Sequence, residues 1–305
     1  MKIIATGATG LVGSKLVSAL LSEEQQLTRL VRRKPQGQKP PGVTDALWEP
    51  ATGLIEAAQL EGHDAVVHLA GDNVAGGRWT AEKKQRIRDS RVEGTKLLVQ
   101  TLTQLASRPR TLVSASAIGF YGNRGDELVN EDSPAGADFL AGVCREWEAA
   151  TEPAAQAGMR VVLLRIGVVL SGDGGALQKM LTPFKLGVGG RVGSGRQYMS
   201  WVSLDDVVGV IKYALTNESL RGPINVVAPQ AATNEEFTKT LGRVLGRPTL
   251  FPAPAFALRL AFGEMADALL LGSTRVEPRR LGAAGYQFQH PRLEGALRSA
   301  LNNGD

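Results

Sequence analysis

Four places in this 305-residue chain carry residues of a type and spacing that could do chemistry. The first is Gly7-Ala8-Thr9-Gly10-Leu11-Val12-Gly13, directly after the short apolar run Lys2–Thr6. Glycines at a turn between strand and helix permit unusual dihedrals and let the backbone approach a diphosphate. The phosphate charge then meets the N–H groups and the positive dipole end of the helix. The second is Arg32-Arg33, about 20 residues beyond the last glycine, where an NAD-preferring unit places a carboxylate on the ribose 2′-hydroxyl. No Asp or Glu stands there. Guanidinium forks pair with a 2′-phosphate instead, each charge-assisted bond contributing about 1.5–3 kcal/mol, so NADP(H) is the expected cofactor. The third is Ser114-Ala115-Ser116 with Gly119-Phe120-Tyr121-Gly122. The fourth is the turn Gly172-Asp173-Gly174-Gly175.

The elements that must position these groups alternate. Lys2–Thr6 reads as a buried strand and Leu11–Ser22 as a helix with Leu11, Val12, Leu16, Val17, Leu20 and Leu21 on one face. Leu27–Val31 is the second strand, and the Pro-, Gly- and Gln-rich residues 36–50 read as an irregular surface connection. Asp64–Gly71 is a parallel strand that brings Leu69, Ala70 and Gly71 to the carboxyl edge of the sheet beside an adenosine; His68 within it reads as a packed residue rather than a catalyst. A long helix spans Thr80–Ala106 and carries Arg86, Arg88, Arg91 and Lys96. The strand Thr111–Ser116 delivers the two serines to the same edge, and a helix is expected over Asp138–Gln156. Arg160–Val169 is an apolar strand, and the glycine turn after it lies toward the nicotinamide end. Further on, Trp201–Leu204 is a short strand with Asp205 as N-cap of the next helix. Thr233-Asn234-Glu235-Glu236 is a capping box, and helical patterns are expected over about Ala255–Leu271 and in Arg279–Leu297. The fold class is therefore α/β, a Rossmann-type doubly wound parallel sheet with a smaller C-terminal substrate lobe. Residues 1–170 and about 200–228 form the core; about 171–199 and 229–305 form the lobe.

Composition fits that reading. Hydrophobic residues make up 43% and charged residues 21% of the chain, as in globular proteins with a sizeable core. The net charge of +5 is spread out, and Arg32-Arg33-Lys34 has no aromatic platform beside it, so no nucleic-acid surface is expected. One cysteine, Cys144, excludes an intrachain disulfide; on an apolar helix with no histidine nearby in sequence it reads as core rather than nucleophile. No apolar run is long enough to span a bilayer, and neither a signal peptide before the first strand nor a metal site is expected. The expected setting is a cytoplasmic monomer or homodimer with a small-molecule substrate, the helices 80–106 and 138–156 offering a dimer face.

With the turn, the double arginine, HLAG (68–71) and SASAIGFYG (114–122) in hand, the chain resembles the short-chain dehydrogenase/reductase superfamily. Its extended, sugar-nucleotide-epimerase-like side fits best, and within it the atypical "epimerase family" group, also labelled cell-division-inhibitor-like. Matching segments run along nearly the whole chain, among them LRIGVVLSGDGGAL, GVGGRVGSGRQ, SWVSLDDVV, PAFALRLAFGEMA and VEPRRL. The resemblance implies NADP contacts from Gly7, Thr9, Gly10, Leu11, Val12 and Gly13, from Arg32 and Arg33, from Leu69, Ala70 and Gly71, from Arg86 and Arg91, and from Ser114 and Val168. Arg91 takes the place of an asparagine before Val92-Glu93-Gly94-Thr95. One departure stands out: hydride-transferring members use a tyrosine followed four residues later by a lysine that lowers the phenol pKa. None of the four tyrosines here is so followed, and the corresponding helix reads Phe139-Leu140-Ala141-Gly142-Val143-Cys144. Ser116 keeps the place of the catalytic hydroxyl and Tyr121 is the nearby phenol. The expected chemistry is oxidation, reduction or epimerisation of a small polar, sugar-like substrate, with Ser116 polarising its oxygen and Tyr121 or water supplying the proton. The other reading is an NADPH-binding sensor or scaffold, for instance in division. Arg78, Trp79, Arg196, Gln197 and Trp201 are candidate pocket-wall residues, and the glycine-rich stretch 186–196 is a candidate lid.

Overall fold

Eight strands form one sheet because their apolar side chains find helices on both faces. The computed structural model describes residues 1–36 and 38–302. The strands are β1 (Lys2–Thr6), β2 (Gln26–Val31), β3 (Val43–Glu49), β4 (Leu54–Ile55), β5 (Ala65–His68), β6 (Thr111–Ala117), β7 (Arg160–Ile166) and β8 (Gly222–Val226). Their spatial order is β4-β3-β2-β1-β5-β6-β7-β8, parallel throughout except for the antiparallel β3–β4 pair. The order reverses between β1 and β5, and such a reversal opens a crevice at the carboxyl ends of the strands. On one face Ile3, Val67, Val113 and Val162 pack against Leu16 and Leu20 of α1 (Leu11–Ser22) and Val207 and Ile211 of α6 (Leu204–Thr216). On the other, Ile4, Val66 and Leu112 meet Leu98 and Leu102 of α2 (Ala81–Gln104). Each such side chain contributes about 1.5–3 kcal/mol on full burial.

Three further helices stand between α2 and α6: α3 (Phe139–Ala149), α4 (Glu152–Gln156) and α5 (Gly175–Lys185). The chain continues with α7 (Asn234–Leu245), α8 (Ala255–Phe262), α9 (Arg279–Ala283) and α10 (Leu293–Asn302). Leu177 and Phe184 of α5, Trp201, Phe237 and Leu241 of α7, and Ala296 and Leu297 of α10 share a separate apolar cluster.

Several local expectations shift. Within 36–50 the chain forms a parallel strand, β3, whose alternation is interrupted by the buried Asp45. Arg29 at 2.8 Å and Lys39 at 3.2 Å neutralise that carboxylate, so the strand can lie in the sheet. The helix expected over 138–156 breaks after Ala149, where Pro153 at the start of α4 lacks the N–H that a continuous helix needs. Ser203 rather than Asp205 caps α6: its Oγ accepts from the Asp206 N–H at 2.9 Å. The run 255–271 is broken at Gly263, whose φ of +61° ends α8, and helical turns resume over Glu264–Leu271.

His68 pins the two central strands together. Its Nδ1 lies 2.7 Å from Thr6 Oγ1 and its Nε2 lies 2.9 Å from Thr95 Oγ1 on α2. Thr6 Oγ1 also accepts the Leu69 and Ala70 N–H groups, at 3.1 and 3.2 Å, so its own proton goes to Nδ1 and Nε2–H donates to Thr95. Burial holds the imidazole neutral, with its pKa lowered to about 4. The unfolded chain therefore binds one proton more than the native state between about pH 6.5 and about pH 4, and stability falls as pH drops through that window. At about 1.4 kcal/mol per pKa unit the loss is on the order of 3 kcal/mol. Chemical denaturation at stepped pH is expected to show that component in the parent chain and to lack it in His68→Gln; equal pH profiles for the two would exclude it.

Candidate dinucleotide and active site

The turn after β1 is closed by backbone contacts that leave no room for side chains. Gly7 has φ +66°, and a Cβ there would lie 2.7 Å from the Leu69 carbonyl carbon. A Cβ on Gly13 would come within 2.1 Å of Gly7 O, which is why helix α1 can lie so close to the strand end. Gly10 stands at the N-cap of α1 with no side chain to satisfy the first-turn N–H groups, and no acidic residue occupies that turn. Thr9 and Gly10 are exposed, and Leu11 and Val12 are half-buried at the rim. An uncapped helix N-terminus behind a glycine cradle fits a diphosphate group.

The other expected contacts fall around this point to different degrees. β1 and β2 pair with Thr6 opposite Leu30, which sets Arg32 and Arg33 just beyond the turn. Both are exposed and make no ion pair among the described residues, whereas neighbouring Lys34 is taken by Glu56 at 2.9 Å. Leu69, Ala70 and Gly71 follow β5 beside the turn. Arg91 lies across Gly71, so close that a Cβ there would be 3.1 Å from its Cζ. Its Nη1 and Nη2 donate to the carbonyls of Ile87 and Asp72, each at 3.0 Å, and its Cζ sits 5.2 Å from the Trp147 ring centre. Burial lowers its pKa. Arg86 is exposed on α2. Ser114 stands level with His68 in the next strand and is fully buried, and Val168 is half-buried beyond β7.

At the far side of the sheet edge the hydroxyls are already engaged. Ser116 Oγ donates to Glu148 Oε1 on α3 at 2.7 Å. Glu148 in turn is held by Arg165 of β7 through two bonds, Nε to Oε1 at 2.9 Å and Nη2 to Oε2 at 2.8 Å. Arg165 Nη1 donates to the Tyr121 hydroxyl at 3.1 Å, and that hydroxyl donates to Asn225 Oδ1 at 2.7 Å. The guanidinium stacks on Phe120, 3.4 Å from the ring centre. Tyr121 is fully buried, and that burial raises its pKa. Glu148, Arg165 and Asn225 escaped the sequence reading. The signal was present, since a lone arginine inside the apolar run VVLLRIGVVL is costly unless it meets a carboxylate.

Helix α3, where the resemblance expects the tyrosine and lysine pair, opens with Phe139-Leu140-Ala141-Gly142-Val143-Cys144, and Phe139 packs edge-on against Trp79 with centroids 5.4 Å apart. Arg78 reaches across to α8, donating to Leu260 O at 2.8 Å. Arg196 is exposed. Two of the expected wall residues turn inward instead. Trp201 is 1% exposed in the apolar cluster of α5 and α7, and Gln197 is buried with Nε2 donating to the carbonyls of Val192 and Leu270. Apolar area and an amide with two carbonyl partners each gain more inside than at a wet wall. The backbone of 186–196 is tied to the segment before α8 while most of its side chains stay exposed: Gly190 lies against the Phe251 backbone, and Ala253 N–H donates to Arg191 O at 2.8 Å. Burial pushes the Cys144 thiol up to about 12, which leaves it a core residue.

A parallel sheet reversing at β1/β5, a glycine cradle on an uncapped helix and a serine at the β6 edge together define a Rossmann-type short-chain dehydrogenase/reductase fold. The family model described as "NAD dependent epimerase/dehydratase family" matches residues 3–228, and a domain of unknown function matches residues 253–300. The chain belongs to the NAD dependent epimerase/dehydratase family. It is 44% identical over 295 residues to the epimerase family protein Mb2239 of Mycobacterium bovis, covering 97% of this chain and 96% of that one. It is 36% identical to the human epimerase family protein SDR39U1, covering 99% and 100%. Among solved structures, human SDR39U1 with NADPH superposes with a TM-score of 0.89 at 34% identity over 99% of this chain and 100% of that one. A Corynebacterium glutamicum nucleoside-diphosphate sugar epimerase gives 0.81 at 35%, this chain spanning 58% of that longer one.

The cradle yields a direct test. Gly13→Ala is expected to cost about 1–3 kcal/mol of stability through overpacking and to remove dinucleotide binding measured by tryptophan fluorescence. Ser14→Ala, one residue on and exposed, is expected to change neither.

Proposed function

We propose that this chain binds NADP(H) and oxidises, reduces or epimerises a small polar, sugar-like substrate held between the sheet edge and the C-terminal lobe. The observation that carries the reading is the pairing of an uncapped α1 N-terminus with two unpaired arginines, Arg32 and Arg33, at the end of the neighbouring strand. The human relative crystallised with NADPH supports the same cofactor. NADPH supplies a hydride when bound; the chain supplies position and charge. The first-turn N–H groups of α1 take the diphosphate, and Arg32 and Arg33 take the 2′-phosphate. Leu69, Ala70 and Gly71 flank the adenosine, and Arg91, held by two carbonyls, keeps a fixed positive charge beside Gly71. Ser116 is the hydroxyl assigned to the substrate oxygen. Its hydroxyl proton points at Glu148 Oε1, so donation to substrate requires that hydroxyl to rotate away from the carboxylate. With Tyr121 sealed behind Phe120 and Arg165, the proton to substrate comes from water.

One observation favours the second reading, a protein that holds NADPH without turning it over. Both hydroxyls that could serve catalysis are engaged in a buried ionic network, and no tyrosine of the chain is followed four residues later by a lysine.

Parallel fluorescence titrations with NADPH and NADH separate cofactor choice from chemistry. NADPH is expected to bind at least about tenfold tighter, a preference that Arg33→Ala reduces by about tenfold, the value of one charge-assisted contact. Equal binding of the two cofactors would remove the 2′-phosphate assignment. In a carbonyl-substrate screen run with NADPH, Ser116→Ala is expected to lower turnover about 100-fold at unchanged NADPH affinity. Full turnover in that variant would take Ser116 out of the mechanism, and no turnover by the parent chain would favour the holding protein.

A further inference from the structure

Seven of the ten large apolar side chains that stand exposed among the described residues fall in two short segments, 186–188 and 250–262. Helix α8 has no buried residue. Phe256 and Leu260, one turn apart on it, are 73% and 78% exposed. Leu250 and Phe251 precede the helix, and Leu186 and Val188 follow α5. These segments lie side by side: Phe251 N–H donates to Gly189 O at 3.4 Å, and Gly193 N–H donates to Ala253 O at 2.9 Å. They therefore make one face, far larger than scattered surface leucines require.

Within the two segments themselves every charge is positive, the nearest carboxylates, Glu235, Glu264 and Asp267, lying just outside them. Residues 185–196 carry Lys185, Arg191 and Arg196, residues 246–263 carry Arg247 and Arg259, and neither stretch contains an Asp or a Glu. All five cations are exposed, and among the described residues only Arg259 forms an ion pair, with Asp267 at 2.9 Å. Aromatic and aliphatic side chains set among cations, four of which have no ion pair among the described residues, match the boundary of an anionic bilayer. There the apolar groups enter the acyl edge and the guanidinium and ammonium groups meet headgroup phosphates. A polar protein surface would leave the apolar groups without a partner, and a neutral apolar one would leave the cations without theirs. We propose that α8 with its two flanking segments seats the protein on an anionic lipid surface. The chain lies on that surface without crossing it, since no described helix is long and apolar enough to span a membrane.

The test uses the full chain saturated with NADPH and floated with vesicles. One set is pure phosphatidylcholine and the other contains about one third phosphatidylglycerol. Binding is expected with the anionic vesicles only, and it is expected to fall at least about tenfold between about 0.05 M and about 0.5 M NaCl. Phe256→Gln with Leu260→Gln, and separately Arg191→Glu with Arg247→Glu, are each expected to abolish flotation while NADPH affinity stays unchanged, showing that the fold is intact. Three results would overturn the proposal. They are no flotation with either vesicle, equal flotation with both, or a concentration-dependent dimer in sedimentation velocity that the Phe256/Leu260 double variant dissolves, which would make the face a contact between two copies.

Discussion

The structure depends on one close approach, that of the turn after β1 to the end of β5. Gly7 runs against the Leu69–Ala70 backbone with no space for a Cβ, and Thr6 Oγ1 ties the same two N–H groups to its own strand while donating to His68. Every later element takes its position from this crossing. The order of the sheet reverses here, α1 starts here, and α2 is fastened to it through Thr95. A neutral histidine suits the role because it can accept on one ring nitrogen and donate on the other, joining three elements with one side chain. The nucleotide cradle is thus a by-product of how two strands are locked together.

A second knot lies across the sheet edge, where a carboxylate, a guanidinium, a phenol and a serine form one connected network. Here a bidentate arginine–glutamate pair occupies the interior and Phe139 the helix face. A buried pair of that kind is strongly destabilising to break on one side, by about 3–5 kcal/mol, so the network fixes the geometry of β6, β7 and α3 whatever chemistry the edge performs. The same rigidity withholds Tyr121 from solvent.

Much of this was legible from residues in order. The strand, glycine turn and helix at residues 2–22 follow from apolar spacing and three glycines, and the double arginine carries its meaning by distance from them. What escaped did so for physical reasons. β3 was hidden because Asp45 breaks its alternation, and only Arg29 and Lys39, one in the neighbouring strand and one in the loop before β3, make that aspartate tolerable. Sequence neighbourhood places Trp201 and Gln197 at the cleft, yet a tertiary apolar cluster claims Trp201, and the carbonyls of Val192 and Leu270 hold Gln197. Glu148 and Arg165 lie seventeen positions apart, so their pairing is invisible to any helical or strand period. Local order is written in periodicity; a network is written in contacts between distant segments.

The apolar cluster shared by α5, α7 and α10 has a consequence for how the chain is made. Strands β1 to β4 sit side by side in the order in which they leave the ribosome, so the first half of the sheet can assemble on a nascent chain. The cluster around Leu177, Trp201 and Phe237 is closed by Ala296 and Leu297 from α10. Until that last helix has been synthesised, a tryptophan and a phenylalanine that end up fully enclosed stay open to water. A nascent chain stalled short of α10 would carry an assembled sheet beside an unsealed apolar cluster, the kind of species that chaperones hold and proteases remove.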